Sequence, residues 1–194
     1  MQSLFNFIVK PKNERYDNIK HIGDKSLILN SEIYDHRYVS RNAIVLAVPK
    51  GVNTEIKVGD EVIVHHNVFR RWHNARGIEK NSRSFWEEDK YFISEDQLFL
   101  YKRNNKWYAP KGYCFLKPIK SNNIIEKEVP LRGIVKYLDE TLEGINVNDL
   151  VGFAPSSEYE FVIEGERLYR VLSKFITIKY ERQGNEEEYN PSWT

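Results

Sequence analysis

The chain has 194 residues, and its 29 Lys and Arg against 28 Asp and Glu leave a net charge of +1. That balance argues against a general electrostatic pull toward nucleic acid or an anionic membrane. The single cysteine, Cys114, excludes an intrachain disulfide framework and fits a reducing compartment, while the longest apolar run, residues 43–48, is far short of the ~20 residues a spanning helix needs.

In chain order, the opening Met1-Gln2-Ser3-Leu4-Phe5-Asn6 puts no basic stretch before an apolar segment. No signal peptide is expected, and a cytoplasmic location follows, in a cell or in an infected host cell. Strands are predicted over residues 5–10, 42–48, 60–65, 91–101, 113–118, 131–137, 149–153, 159–163 and 175–181. These runs are rich in Val, Ile, Phe and Tyr and are separated by Gly, Pro, Asn or Ser. No long window carries a helical stripe. Only Ser84-Phe85-Trp86-Glu87 has capping-box spacing and predicts one short helical turn. The expected fold class is all-β.

The same blocks occur twice, in the same order. Phe7-Ile8-Val9-Lys10-Pro11 returns as Cys114-Phe115-Leu116-Lys117-Pro118. Val58-Gly59-Asp60-Glu61-Val62-Ile63-Val64 returns as Val147-Asn148-Asp149-Leu150-Val151-Gly152-Phe153. Ile93-Ser94 and the strand after it answer to Leu172-Ser173 and the strand around Phe175 to Ile178. The spacing shrinks in the second copy while strand material survives, as loops do when a fold is kept. The predicted organisation is therefore a first module over residues 1–104, a shorter second module over 105–182 and a loosely held polar tail over 183–194.

Each copy resembles the GroES family of co-chaperonins, and the first does so more fully. Phe7-Ile8-Val9-Lys10 is similar to that family's opening strand, and Arg41-Asn42-Ala43-Ile44-Val45-Leu46-Ala47-Val48 to its second strand block. Lys57 to Val64 resembles its Val-x-Gly-Asp block, and Tyr91 to Leu100 its closing segment. The resemblance implies two tandem GroES-like small β-barrels, a GroEL-type chaperonin as partner and a homo-oligomeric assembly. It also implies a mobile loop over residues 13–40 that docks through an apolar tripeptide, here Leu27, Ile28 and Leu29. From the residues alone, the same segment can equally be an edge strand folded over its own barrel. The second copy offers only Ile124-Ile125 in a much shorter connection.

Two departures from the family pattern stand out. The hairpin between the second strand block and the Val-x-Gly-Asp block shrinks to residues 49–55, and the first copy gains a segment over residues 68–90 rich in Arg and aromatic residues. Trp72, Phe85 and Trp86 in that segment are candidate subunit-interface residues, because Trp and Arg often anchor interfaces. The same residue types also stack bases and grip phosphates in single-strand binders, but Glu79, Glu87, Glu88 and Asp89 offset the arginines here. His65, His66 and His73 sit close in sequence. If the strand runs through the first two, they face opposite sides, so no metal is expected. No nucleophile elbow, phosphate loop or HExxH helix is present, so neither catalysis nor a cofactor is implied. Cys114 is expected to be a small buried core residue. The leading expectation is a non-enzymatic co-chaperonin; the alternative is a structural or assembly protein, for example of a virion, that reuses the barrel.

Overall fold

The computed structural model describes residues 3–17, 19–28, 35–123, 125–182, 184 and 186–190. The fold is all-β: seventeen strands and four single 3-10 turns, with no longer helix among the described residues. The chain divides into two compact units, Met1–Lys106 and Trp107–Thr194.

The first unit contains β1 (Phe7–Pro11), β2 (Ile19–Ile22), β3 (Lys25–Ile28), β4 (Asn42–Ala47), β5 (Glu61–Val64), β6 (Arg71–His73), β7 (Glu79–Asn81), β8 (Phe85–Glu87), β9 (Lys90–Ile93) and β10 (Leu98–Arg103). Strand β11 (Lys106–Tyr108) follows the Asn104-Asn105 turn. The large sheet runs β8-β9-β1-β4-β5-β10-β11, and the pairs β2-β3 and β6-β7 form two separate two-stranded sheets. Alternation decides the inner face. In β4, Ala43, Val45 and Ala47 are buried while Asn42, Ile44 and Leu46 are partly open.

The second unit contains β12 (Tyr113–Lys120), β13 (Glu128–Leu138), β14 (Leu150–Phe153), β15 (Glu158–Ile163), β16 (Glu166–Leu172) and β17 (Ile176–Tyr180). Its sheet runs β15-β16-β12-β13-β14-β17. Strand for strand this is the order β8-β9-β1-β4-β5-β10 of the first unit. The match extends to register. Val9 faces Val45 and Tyr91 as Leu116 faces Val135 and Tyr169, and a bulge falls at Ile8/Val9 as at Phe115/Leu116. The buried set Cys114, Leu116, Val135, Val151, Phe153, Tyr169 and Val171 packs as one cluster. The residues at the matching positions, Phe7, Val9, Val45, Val62, Val64, Tyr91 and Ile93, are all buried too. Cys114 thus occupies the place of Phe7, and burial pushes its thiol up to about 12.

The turn before β5 and β14 is also repeated. Lys57 N donates to Asp60 Oδ2 at 2.9 Å and Asn146 N to Asp149 Oδ2 at 2.7 Å. Gly59 and Asn148 both hold positive φ, +91° and +74°, and donate to Val45 O and Val135 O. Glycine is free of strain there, and asparagine tolerates it better than most residues.

Several expectations need correction. The run 91–101 is two strands, β9 and β10, split by a 3-10 turn at Glu95–Gln97. That break shifts the last repeat block by one residue: the register equates Ser94 with Leu172, not Ser173. Ser84-Phe85-Trp86-Glu87 forms no helical turn, because Phe92 N donates to Ser84 O and Phe85 pairs with Tyr91, which captures the segment as β8. The capping-box hydrogen bond sits at Ser94 instead, whose N donates to Gln97 Oε1. Neither large sheet closes: closure needs the two terminal strands to hydrogen-bond to each other, and β8 and β11, like β15 and β17, do not. The tail is held rather than loose over residues 187–190. Lys120 N donates to Glu187 O, Tyr189 N to Pro118 O, and Lys117 and Lys120 pair with Glu188 and Glu187. No helix among the described residues is long and apolar enough to cross a membrane.

Candidate functional site

The two units share a ladder and differ in what leaves it. Between the first two strands of the ladder the second unit spends only residues 121–127, where the first spends residues 12–41. Between β14 and β15 lie residues 154–157, whereas residues 65–84 separate β5 from β8. Both extra segments of the first unit carry their own hairpin.

The first extra segment begins by extending the ladder. Lys12 N donates to Asn42 O, Ser40 N to Arg15 O and Asp17 N to Tyr38 O, and Tyr16 bridges to Val39. Beyond this stem, β2 and β3 pair from Ile19↔Ile28 to Ile22↔Lys25 across a Gly23-Asp24 turn, where Gly23 holds φ +59°. Ile19, Ile22 and Leu27 are 48%, 59% and 53% exposed. Of the expected tripeptide, Leu27 and Ile28 lie on β3, and Leu29 lies outside the described residues. The segment is therefore a hairpin with its own sheet, not an edge strand laid on the main one.

The second extra segment braces that stem. The Arg15 guanidinium donates to Phe69 O at 2.9 Å and lies 5.4 Å from the Tyr91 ring centre. Arg71 N donates to Tyr16 Oη at 2.7 Å, and the Arg71 guanidinium stands 4.9 Å over the Tyr16 ring. A third contact joins His36, before β4, to His66, with ring centres 5.1 Å apart. Val68 and Phe69 are buried outright, so the insertion is rooted in the core rather than projecting from its first residue. His65 and His66 do not face opposite ways: β5 ends at Val64, and their rings lie 4.3 Å apart. Burial, and after it the neighbours His65, Arg41, His36 and Arg70, hold His66 down at about 3. No group of three or more His, Cys, Asp or Glu arranged to hold a metal occurs among the described residues.

The three candidate interface aromatics are not brought together. Trp86 stacks on Phe92 at 5.1 Å and stays 43% exposed, and Phe85 packs edge-on against Tyr91. Trp72 is 44% exposed on β6 and forms one wall of an open cleft of about 620 Å³. Arg70 and Arg83 line the same cleft, with Asn67, Ser82, Ser84 and Gln97 adding uncharged polar groups. Ser82 Oγ donates to Val68 O and Gln97 Nε2 to Ser84 Oγ, so the polar floor is itself fixed. The four polar residues are scattered from position 67 to 97, so only folding assembles them.

Set beside known proteins, the sequence matches no family model and no curated protein.

Proposed function

We propose that the protein is a non-enzymatic co-chaperonin, two GroES-like modules in one chain, that docks on a GroEL-type chaperonin in the cytoplasm of a cell or an infected host cell. The observation that carries this reading is the β2–β3 hairpin. It leaves three apolar side chains in water at the place where the resembled family keeps its docking loop. A lone two-stranded hairpin is marginal in water. Seating Ile22 and Leu27 in an apolar groove would recover about 25 cal/mol per Å² of covered surface and supply the missing packing. Each hairpin alone binds weakly, since ordering the segment on docking costs free energy, and display in an oligomer raises the effective concentration of the next.

Light scattering of the protein mixed with a chaperonin and nucleotide tests this. The wild type should form a complex, and Leu27→Asp should abolish it while leaving the unfolding of the first unit unchanged. A Leu27→Asp variant that binds like the wild type overturns the docking site, and absence of any complex overturns the co-chaperonin reading. The second reading, an assembly protein such as a virion component, is favoured by the exposure of Trp72 and Trp86 and by the short 121–127 connection. It requires an oligomer that dissociates on Trp86→Ser and ignores chaperonin.

A further inference from the structure

The cleft beside Trp72 belongs to neither the hairpin nor the shared ladder. Its wall chemistry is one-sided: two arginines, one tryptophan and four uncharged polar side chains, and no carboxylate. Arg70 Nε is buried and donates to no protein acceptor. A buried cationic donor left without an acceptor costs free energy.

The surrounding charges sharpen this. Two other basic residues of this region are matched on the protein itself: Arg71 pairs with Glu79, and Lys90 with Glu87. Arg70 and Arg83, the two arginines that line the cleft, have no carboxylate partner among the described residues. The neighbours that hold His66 in its neutral form include Arg41 and Arg70, and no carboxylate is among them.

We propose that this cleft binds one nucleotide, with its phosphate between Arg70 and Arg83 and its base against Trp72. The arginine pair selects an anion with several acceptor oxygens. An indole 44% exposed on the wall adds a stacking face, which a bare phosphate or a carboxylate does not use. Asn67 and Gln97 carry amides suited to the edge of a base. About 620 Å³ lies within the range of small-ligand sites and takes one nucleotide, not a strand. The proposal stands apart from chaperonin docking, because none of these residues lies on the β2–β3 hairpin.

Trp fluorescence and equilibrium dialysis with adenosine and uridine monophosphates, adenosine, inorganic phosphate and an oligothymidylate provide the test. The monophosphates should bind more tightly than adenosine or phosphate alone. Trp72→Ala and Arg83→Gln, both at exposed positions, should each weaken the monophosphates by about tenfold. Arg70→Lys should weaken binding too and, with Arg83→Gln, checks the phosphate contact from a second side. Failure of the monophosphates to bind, or binding unchanged in Trp72→Ala and Arg83→Gln, overturns the proposal. So does preferential binding of the oligothymidylate with a salt dependence of several phosphates, which would mark a strand-binding surface. The Leu27→Asp variant should bind the monophosphates like the wild type.

Discussion

The two units are the same ladder with and without attachments. Both have the same strand order, the same bulge in the opening strand and the same Asp-anchored turn. The first unit adds a hairpin at residues 12–41 and an insertion at residues 65–84, and the second has neither. The attachments come as a pair because each holds the other: Arg15 and Tyr16 of the stem bond to Phe69 and Arg71 of the insertion. A β ladder of this kind tolerates long excursions because the entropic cost of a longer loop grows slowly, and stem contacts offset part of it.

The largest expected effect uses the shared core. Val62 and Val151 are equivalent and fully buried. An Asp at either site leaves an unpaired buried charge, which costs several kcal/mol and approaches the whole stability of a small domain. Val62→Asp should unfold the first unit and Val151→Asp the second, each seen as loss of protection in hydrogen exchange of that unit's peptides. Loss of both units from either substitution would show that the pair folds as one body.

Next comes the brace. Arg15→Ala removes a charged donor from Phe69 O and the contact with Tyr91, a loss of about 2 kcal/mol. Exchange at residues 12–17 and 65–84 should accelerate together, with the second unit unmoved. Acceleration at the stem alone would mean that the insertion does not lean on it.

A pH comparison separates the units further. His66 is held at about 3 when folded, below its ordinary 6.5. The unfolded chain therefore takes up a proton first as pH falls. The stability this neutral ring contributes is complete above 6.5 and is lost progressively down to about 3. In the second unit, Lys179 holds Asp149 below the usual carboxylate range, and for Asp139 the N–H groups of Gly112 and Thr141 outweigh burial. Carboxylates depressed in this way contribute above their unfolded pKa and lose it only as pH falls through the lower folded value. Acid should thus soften the first unit before the second, by about 1 kcal/mol once solvent screening of the half-exposed ring is allowed for. His66→Asn should remove the early slope in denaturant unfolding across that window, and a slope that survives would assign it elsewhere.

The smallest effect concerns the repeated turn. Gly59→Ala forces a side chain into φ +91° and should cost the first unit about 1 kcal/mol. Asn148→Gly, at the matching position, should change the second unit by no more than about 0.5 kcal/mol. Thermal unfolding of the two variants gives the contrast directly, and equal costs would mean that the turns are not equivalent.

How much of this was legible beforehand follows from where the ordering forces lie. The ladder was readable because a half-buried strand writes its own pattern. Phe7 to Pro11 and Cys114 to Pro118 each run three apolar residues into Lys-Pro, and Gly59-Asp60 and Asn148-Asp149 mark the turns into the next strand. Those local signals were enough to match the two copies nearly residue by residue, one slip at Ser173 apart, since a 3-10 turn leaves no period to count. The hairpins β2–β3 and β6–β7 were not readable. Their strands are three or four residues long and polar or mixed, and the β2–β3 stem is held by partners 54 and 55 residues away. The cleft was hidden for the same reason. Trp72 and Arg83 stood out as residue types, but Asn67, Ser82 and Gln97 acquire a common direction only when the insertion folds back on Val68 and Ser84. The main repeated strand blocks were thus written in the sequence itself, in local apolar runs and turn residues, whereas β8, β16 and the pairing order came only with the fold. Which surface the extra segments build was decided only by tertiary contacts, because no local periodicity records a partner so far along the chain.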